Sequence, residues 1–424
     1  MGSDQLNIVL SYKILYWKFL LILIFPLSIL IDLINGYCQM RLGVHIPIGQ
    51  FYRIAIMLVL LYNIKGVVCR NVIFTYLVAI VFLFSAGMAF WSTINEGSWW
   101  GLEITTFVRI LYFYLVILFF KVNIIHFPDQ LIYSYVVNYG FIIGACILFS
   151  FFTGFGVLSY GESYGFGSKS FFKAGNDLSM TLLYAGAITG IYVYKARNLV
   201  TIIKLVVILF GCIFVGTRTG IVGALLIAFI IFVYYVFAFT PNTIKSRNRK
   251  RIVLLTVMPI LVGVTSVIFV YIYNMFDQYT LDRFSLDNIL SARDFLIDAG
   301  KYHIQQFQGL ATFLGEGVSS LYKSVADYNY LSRETRPVEA DYYETIGSYG
   351  YLFGWIIIIP FIYWALYSIY LFVRYKSYES FLLMFIFLSF IYISYSAGHG
   401  LKNTMLPPVY AFAITLLSTH SVKK

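Results

Sequence analysis

The feature that most constrains this chain is a succession of apolar stretches, each near the length that crosses a lipid bilayer, separated by short connectors. A helical crossing takes about 20 predominantly apolar residues. Twelve stretches qualify: residues 14–34, 44–64, 72–92, 104–122, 131–152, 176–194, 200–215, 219–239, 252–274, 349–373, 381–398 and 405–420. The seventh and twelfth are short, so eleven crossings is the alternative count. Hydrocarbon offers backbone amides no water, so each stretch is expected as a helix. Charged residues make up only 12% of the chain, against roughly 25% in soluble domains. An all-α polytopic membrane protein is the expected fold class.

A net charge of +11 raises the question of nucleic acid. The basic residues, however, fall where cytoplasmic connectors place them. Lys245, Arg247, Arg249, Lys250 and Arg251 form one block, and Lys195 with Arg197, Arg374 with Lys376, and Lys423 with Lys424 occupy other alternate connectors. This alternation predicts both termini in the cytoplasm and no nucleic-acid partner. The first stretch, too long for a secretory core and without a small-residue cleavage site after it, is expected as a retained signal anchor. Residues 35–43, 93–103, 153–175, 216–220 and 398–404 then face outward, together with one long interval. The expected organisation is nine helices in residues 1–274, a large periplasmic loop in 275–348, and three helices in 349–424.

That interval, Met275 to Ser348, holds 11 of the 19 acidic residues and several arginines. A chain that only moved solutes would not need it. An enzyme working at one face of a membrane would, because water and soluble groups must reach its chemistry. Cys38, Cys69, Cys146 and Cys212 are scattered without a CxxC pair, and the five histidines show no metal-ligand spacing. Neither a disulfide framework nor a zinc site is expected. No phosphate-binding loop, dinucleotide fingerprint or nucleophile elbow is present.

Several residues inside this frame can carry chemistry. Arg218 sits in GTRTG (Gly216–Gly220), between the seventh and eighth stretches and flanked by the hydroxyls of Thr217 and Thr219. An arginine that close to hydrocarbon either snorkels to the interface or has a partner. A planar guanidinium also suits a pair of phosphate oxygens better than an ammonium does. Arg109, about two turns into the fourth stretch, either has such a role or neutralises Glu103. Within the interval, Arg283 lies in the polar stretch 279–290, and SARDFLIDAGKYHIQQF (Ser291–Phe307) reads as an amphipathic helix capped by Ser291. Its apolar positions Ala292, Phe295, Leu296, Ala299, Tyr302 and Ile304 are expected to lie against the outer membrane surface of the spans. Arg293 falls in the first turn, where the helix dipole disfavours a cation. It either pairs with Asp294 or Asp298 or is held there for work elsewhere. GEG (Gly315–Gly317) marks a turn. VEADYYETIGSYGYLFGW (Val338–Trp355) then places Glu339, Asp341 and Glu344 at a loop-to-helix junction. Carboxylates there serve either as dipole partners or as a general base toward a hydroxyl.

The order of these pieces resembles the O-antigen ligase and Wzy-type O-antigen polymerase superfamily of bacterial envelope assembly. The resemblance covers most of the chain in layout, and it rests on an arginine in TRTG, an SxRD helix, a GxG turn and a polar-xDY segment before a Gly-rich span. AGNDLSMTLL (Ala174–Leu183) and SAGHG (Ser396–Gly400) also look like Wzy-type segments. The resemblance implies an undecaprenyl-diphosphate-linked oligosaccharide as substrate, the inner membrane as location and a chain-length regulator as a partner. By the same resemblance Arg218 and Arg293 grip the diphosphate, and Arg109, Arg283, Asp341, Tyr342 and His399 bind substrate. The ligase branch begins the VEADYY segment with a histidine-asparagine pair. This chain has Glu339 there and no histidine nearby, which favours a polymerase with Glu339 as base. The implied reaction is inverting glycosyl transfer without metal or other cofactor. The competing expectations are an O-antigen ligase and, from another class, a repeat-unit flippase or transporter. Against transport stands the crowding of acids into one exterior interval, because transporters carry midplane charges and internal repeats.

Overall fold

The computed structural model describes residues 15–44, 46–64, 72–95, 99–127, 129–159, 166–196, 198–238, 291–328, 335–398 and 400–422. In chain order the helices are α1 (Leu15–Arg41), α2 (Ile48–Ile64), α3 (Val72–Ile94), α4 (Trp100–Asn123) and α5 (Asp129–Thr153). A two-stranded antiparallel hairpin follows, β1 (Val157–Leu158) with β2 (Ser168–Ser170), and then α6 (Gly175–Ala196), α7 (Leu199–Phe214) and α8 (Arg218–Ala238). The third group is α9 (Ser291–Gln305), α10 (Ala311–Leu314), α11 (Val318–Tyr328), α12 (Asp341–Tyr375), α13 (Tyr378–Ser396) and α14 (Pro407–Val422).

The protein is an all-α polytopic membrane protein. Six of these helices, α1, α3, α4, α5, α12 and α13, are long and apolar enough to cross a membrane. Shorter apolar helices cover Ile48–Ile64, Leu199–Phe214, Arg218–Tyr234 and Pro407–Ser418. The expected stretch 252–274 lies outside the described residues, as do all of the basic connector 245–251 and all of 279–290.

Two compact units divide the chain, one of residues 1–136 with 290–424 and one of 137–289. The core of the first unit is α4, where every residue from Tyr112 to Phe120 is buried. A helix apolar all round belongs at a bundle centre. Its neighbours interlock through rings: Phe113 meets Phe361 of α12, Phe390 of α13 and Tyr410 of α14 at 5.4, 6.2 and 5.6 Å. Phe361 and Phe390 stack at 4.8 Å. A half-buried ion pair, Arg53 with Asp32 at 2.6 Å, joins α2 to α1.

α12 leaves helical geometry at Gly350, whose φ is 70°. The GEG turn seats against that break. A Cβ on Gly315 would stand 2.3 Å from the Ser348 carbonyl oxygen and 2.5 Å from the Gly350 nitrogen. Two chains meeting this closely, at positive φ, require glycine.

In the second unit α6 is buried almost continuously from Leu178 to Ile191. Small residues bring α5 and α7 together: a Cβ on Gly211 would lie 2.5 Å from Gly144 Cα, and one on Gly144 2.8 Å from the Val207 carbonyl oxygen. Packing without side chains between backbones is how membrane helices associate when lipid offers no hydrophobic gain.

Candidate active site

The polar end of the first unit is assembled from the connectors that the charge alternation assigns to one face. Trp91 Nε1 donates to the Gly315 carbonyl at 3.0 Å, and Asn95 Nδ2 to the Glu316 carbonyl at 3.2 Å. The fully buried Glu103 carboxylate accepts the Val318 and Ser319 amides at 3.0 and 2.7 Å. These are the orphan donors at the start of α11, where a negative charge is favoured. Glu103 was open as Arg109's partner in the sequence; the structure shows its two oxygens engaged by α11. The charge of Arg109 acts on the Tyr322 phenol.

α9 is amphipathic as expected, and its apolar face packs on both α11 and the start of α12. Leu296 and Ala299 are buried with Leu321 and Val325 of α11 and with Val338 and Ala340, while Phe295 and Tyr302 are exposed. The interval thus has a small core of its own, to which α11 contributes Leu321 and Val325. Val338 packs over Gly300, where a Cβ would stand 3.2 Å from both of its methyls. That contact holds Val338 against the third turn of α9, and Glu339 next to it reaches Arg293 in the first turn.

Glu339 is held there in the left-handed region, with φ of 59°, a conformation uncommon outside glycine and concentrated at functional sites. Its oxygens face two guanidiniums: Arg336 Nη2 lies 3.1 Å from Oε1 and Arg293 Nε lies 3.6 Å from Oε2. The three side chains are 30%, 26% and 24% exposed for Arg336, Arg293 and Glu339. The group is therefore open to ligands and also shaped by the fold. Arg293 reaches Glu339, 46 residues along the chain, in addition to any service to the acids of its own helix. Sequence reading missed Arg336, which stands three residues before Glu339 and just before Pro337. Its signal was an arginine at hydrogen-bond range of a proposed base.

Asp341 is buried and accepts the Gly400 and Leu401 amides on Oδ2 at 2.6 and 3.0 Å. It ties the α13–α14 connector to the start of α12. Gly398 approaches from the same connector, where a Cβ would lie 2.7 Å from Glu339 C and 2.8 Å from its carbonyl oxygen. One turn further, Glu344 receives Lys402 Nζ at 2.5 Å and the Tyr322 hydroxyl. Burial and the Glu344 charge push the Tyr322 phenol well above its usual range. Tyr342 is half-buried in an aromatic group with Tyr343, Trp355 and Tyr395, at ring distances of 5.1, 5.8 and 6.2 Å. His303 is buried 3.8 Å from Glu316 Oε2, and burial lowers its basicity. Arg283 and His399 lie outside the described residues. Among the described residues, no three His, Cys, Asp or Glu side chains form a group able to hold a metal ion.

Arg218 belongs to the second unit, as the first residue of α8 and half-buried. The turn before it is packed on the hairpin: Gly216 has φ of 78°, and a Cβ there would stand 2.0 Å from the Phe166 carbonyl oxygen. Ser159 Oγ donates to the Val215 carbonyl at 2.6 Å. Thr217 is committed to structure, since its buried hydroxyl accepts the Gly220 amide at 3.0 Å and meets Ser179 Oγ at 2.5 Å. The expected hydroxyl beside Arg218 is thus a helix cap.

A bundle of apolar helices with a packed polar end, carrying an accessible carboxylate between two guanidiniums, defines a membrane-embedded protein with the equipment for acid–base chemistry at the surface. The model of the family of O-antigen ligase like membrane proteins matches residues 13–282, well over half of the chain. The protein belongs to that family, and so to the membrane glycosyltransferase-type proteins of O-antigen biosynthesis. The matched stretch includes Arg109 and Arg218 and ends before Arg293, Arg336 and Glu339. No curated protein and no solved structure matches the chain.

Proposed function

We propose that this protein is a polysaccharide polymerase, joining undecaprenyl-diphosphate-linked repeat units at the periplasmic face of the inner membrane. The observation that carries the reading is the Glu339 carboxylate, half-buried but reachable between Arg293 and Arg336 at the polar end. The acceptor hydroxyl loses its proton to Glu339 as its oxygen bonds to the anomeric carbon of the growing chain. The bond from that carbon to the diphosphate oxygen breaks on the opposite face, so configuration inverts. Guanidiniums take up the charge building on the departing diphosphate, an electrostatic task that often dominates such catalysis. Arg293 and Arg336 are the cations at hand, with Arg218 the further one implied by resemblance. Asp341 holds the connector against the site, and Tyr342, Arg109, Arg283 and His399 are assigned to the substrate on resemblance. A bilayer phospholipid surround and a chain-length regulator complete the proposed partners.

The ligase reading stays as the second one, because the family model bears that description while Glu339 stands where the ligase branch has histidine. An assay in vitro separates them. Purified protein given only the lipid-linked repeat should yield a ladder of longer lipid-linked chains. Transfer only to an added lipid A core acceptor would make it a ligase. Arg218→Ala and Arg293→Ala should each abolish the ladder at normal protein level, with lysine restoring part of it because it lacks the two-pronged donor. Full ladders from both alanine variants would reduce these arginines to markers of topology.

Orientation has its own test. Cysteines introduced at Asn248, which lies outside the described residues, and at Ser324 of α11 should differ toward an impermeant reagent in intact spheroplasts. Label at 324 alone supports a cytoplasmic basic block, and label at 248 alone inverts the assignment.

A further inference from the structure

We infer that the polar interval is seated in the bilayer interface along one edge, through Leu310 and Phe313, whose partners are the acyl chains of surrounding phospholipids. The interval carries 11 acidic residues, yet no Asp, Glu, Lys or Arg occurs between Lys301 and Glu316. Inside that uncharged run Leu310 and Phe313 stand three residues apart about the short helix α10, and so project on one side. They are 59% and 54% exposed. Ala311 between them is buried. Two large apolar side chains side by side on a surface mark an interaction site when they join a wider patch.

They do join one. The carbonyl carbon of Phe313 lies 2.6 Å, and Leu314 N 2.7 Å, from where a Cβ on Gly350 would stand. Tyr351 and Leu352, next along α12, are 43% and 49% exposed and open the outward apolar face that continues through Ile359, Tyr363 and Leu366. Because α12 is one of the helices fit to span the membrane, that face is a lipid face. Three bonds hold the 306–317 segment at the same level: Trp91 to Gly315, Asn95 to Glu316, and the Gly317 amide to the Ser348 carbonyl at 2.9 Å. The depth of Leu310 and Phe313 is therefore set by α3 and α12, two spanning helices. Continuity with the α12 face selects lipid over a second protein. Neighbouring Gln305, Gln306 and Gln308 are exposed and uncharged, suited to the headgroup level. This inference stands apart from the polymerase reading, since it requires no catalytic assignment.

The test uses the unaltered full chain in phosphatidylethanolamine–phosphatidylglycerol nanodiscs doped with a phospholipid that carries a diazirine on its acyl chain. After photolysis and trypsin, the peptide Tyr302–Lys323 should carry lipid adducts placed at Leu310–Phe313. Their yield should be within several-fold of that on the peptide containing Tyr351 and Leu352. Adducts on the α12 peptide with none on Tyr302–Lys323 overturn the inference. Hydroxyl-radical footprinting of the same nanodiscs gives a second reading without any variant. Leu310 and Phe313 should be oxidised no more than Leu352, and oxidation several-fold above Leu352 would equally overturn it.

Discussion

Glu339→Gln is expected to stop chain growth, with lipid-linked single repeats accumulating in place of polymer. A general base typically contributes about 10²–10⁴-fold in rate, and glutamine keeps the shape and the acceptor oxygen while being unable to take the proton. The variant should fold. Glu339, Arg293 and Arg336 are each about a quarter exposed, so water can serve the guanidiniums left without their carboxylate, and the left-handed backbone asks no more of glutamine than of glutamate. Asp341→Asn is the contrasting control. Its carboxylate is spent on the Gly400 and Leu401 amides, so its loss should lower the melting temperature and leave much of the rate. The measurement is single-turnover extension of purified lipid-linked repeat, with melting followed in detergent. Near wild-type rates from Glu339→Gln would remove it as base, whatever Asp341→Asn does.

Lys402→Met is expected to cost about 3 kcal/mol of stability, at the low end of the range for breaking a buried ion pair by removing one partner. Lys402 and Glu344 are 11% and 6% exposed and 2.5 Å apart, so the carboxylate that remains is out of reach of bulk water. The low end applies because the Tyr322 hydroxyl still donates to Glu344. Adding Glu344→Gln should recover most of the loss, since it removes the stranded charge, and a double-mutant cycle read by thermal unfolding measures the coupling. Additive losses in the double variant would show that the pair contributes nothing of its own. The stake is more than stability, because this pair fastens the α13–α14 connector whose Gly398 lies against Glu339.

Much of the molecule was legible one residue at a time. A bilayer forbids unpaired backbone, so runs such as 104–122 and 349–373 had to be helices, and α4 and α12 cover them. The short runs were also visible, and α7 and α14 are 16 residues each. The hairpin at 157–170 was not, since its strands are two and three residues long and carry no alternation long enough to read. α9 was recognised as amphipathic from its period, but a period says only that a face is apolar. Its face meets both α11, through Leu321 and Val325, and the start of the spanning helix α12, through Tyr343.

The site divides along the same line. Glu339, Asp341 and Glu344 stood out together before a helix, yet composition could not sort them. Asp341 and Glu344 turned out to hold a connector 59 and 58 residues away, and Glu339 alone of the three stays open toward arginines. Arg336 gained its interest only when its neighbour's carboxylate was seen to be shared with Arg293. Class, helical state and the clustering of charge follow from the sequence because they depend on local composition in a solvent that penalises every unpaired amide. Which carboxylate is structural and which is exposed belongs to the tertiary structure, because it depends on contacts between segments far apart in the chain, and those exist only once the helices have packed.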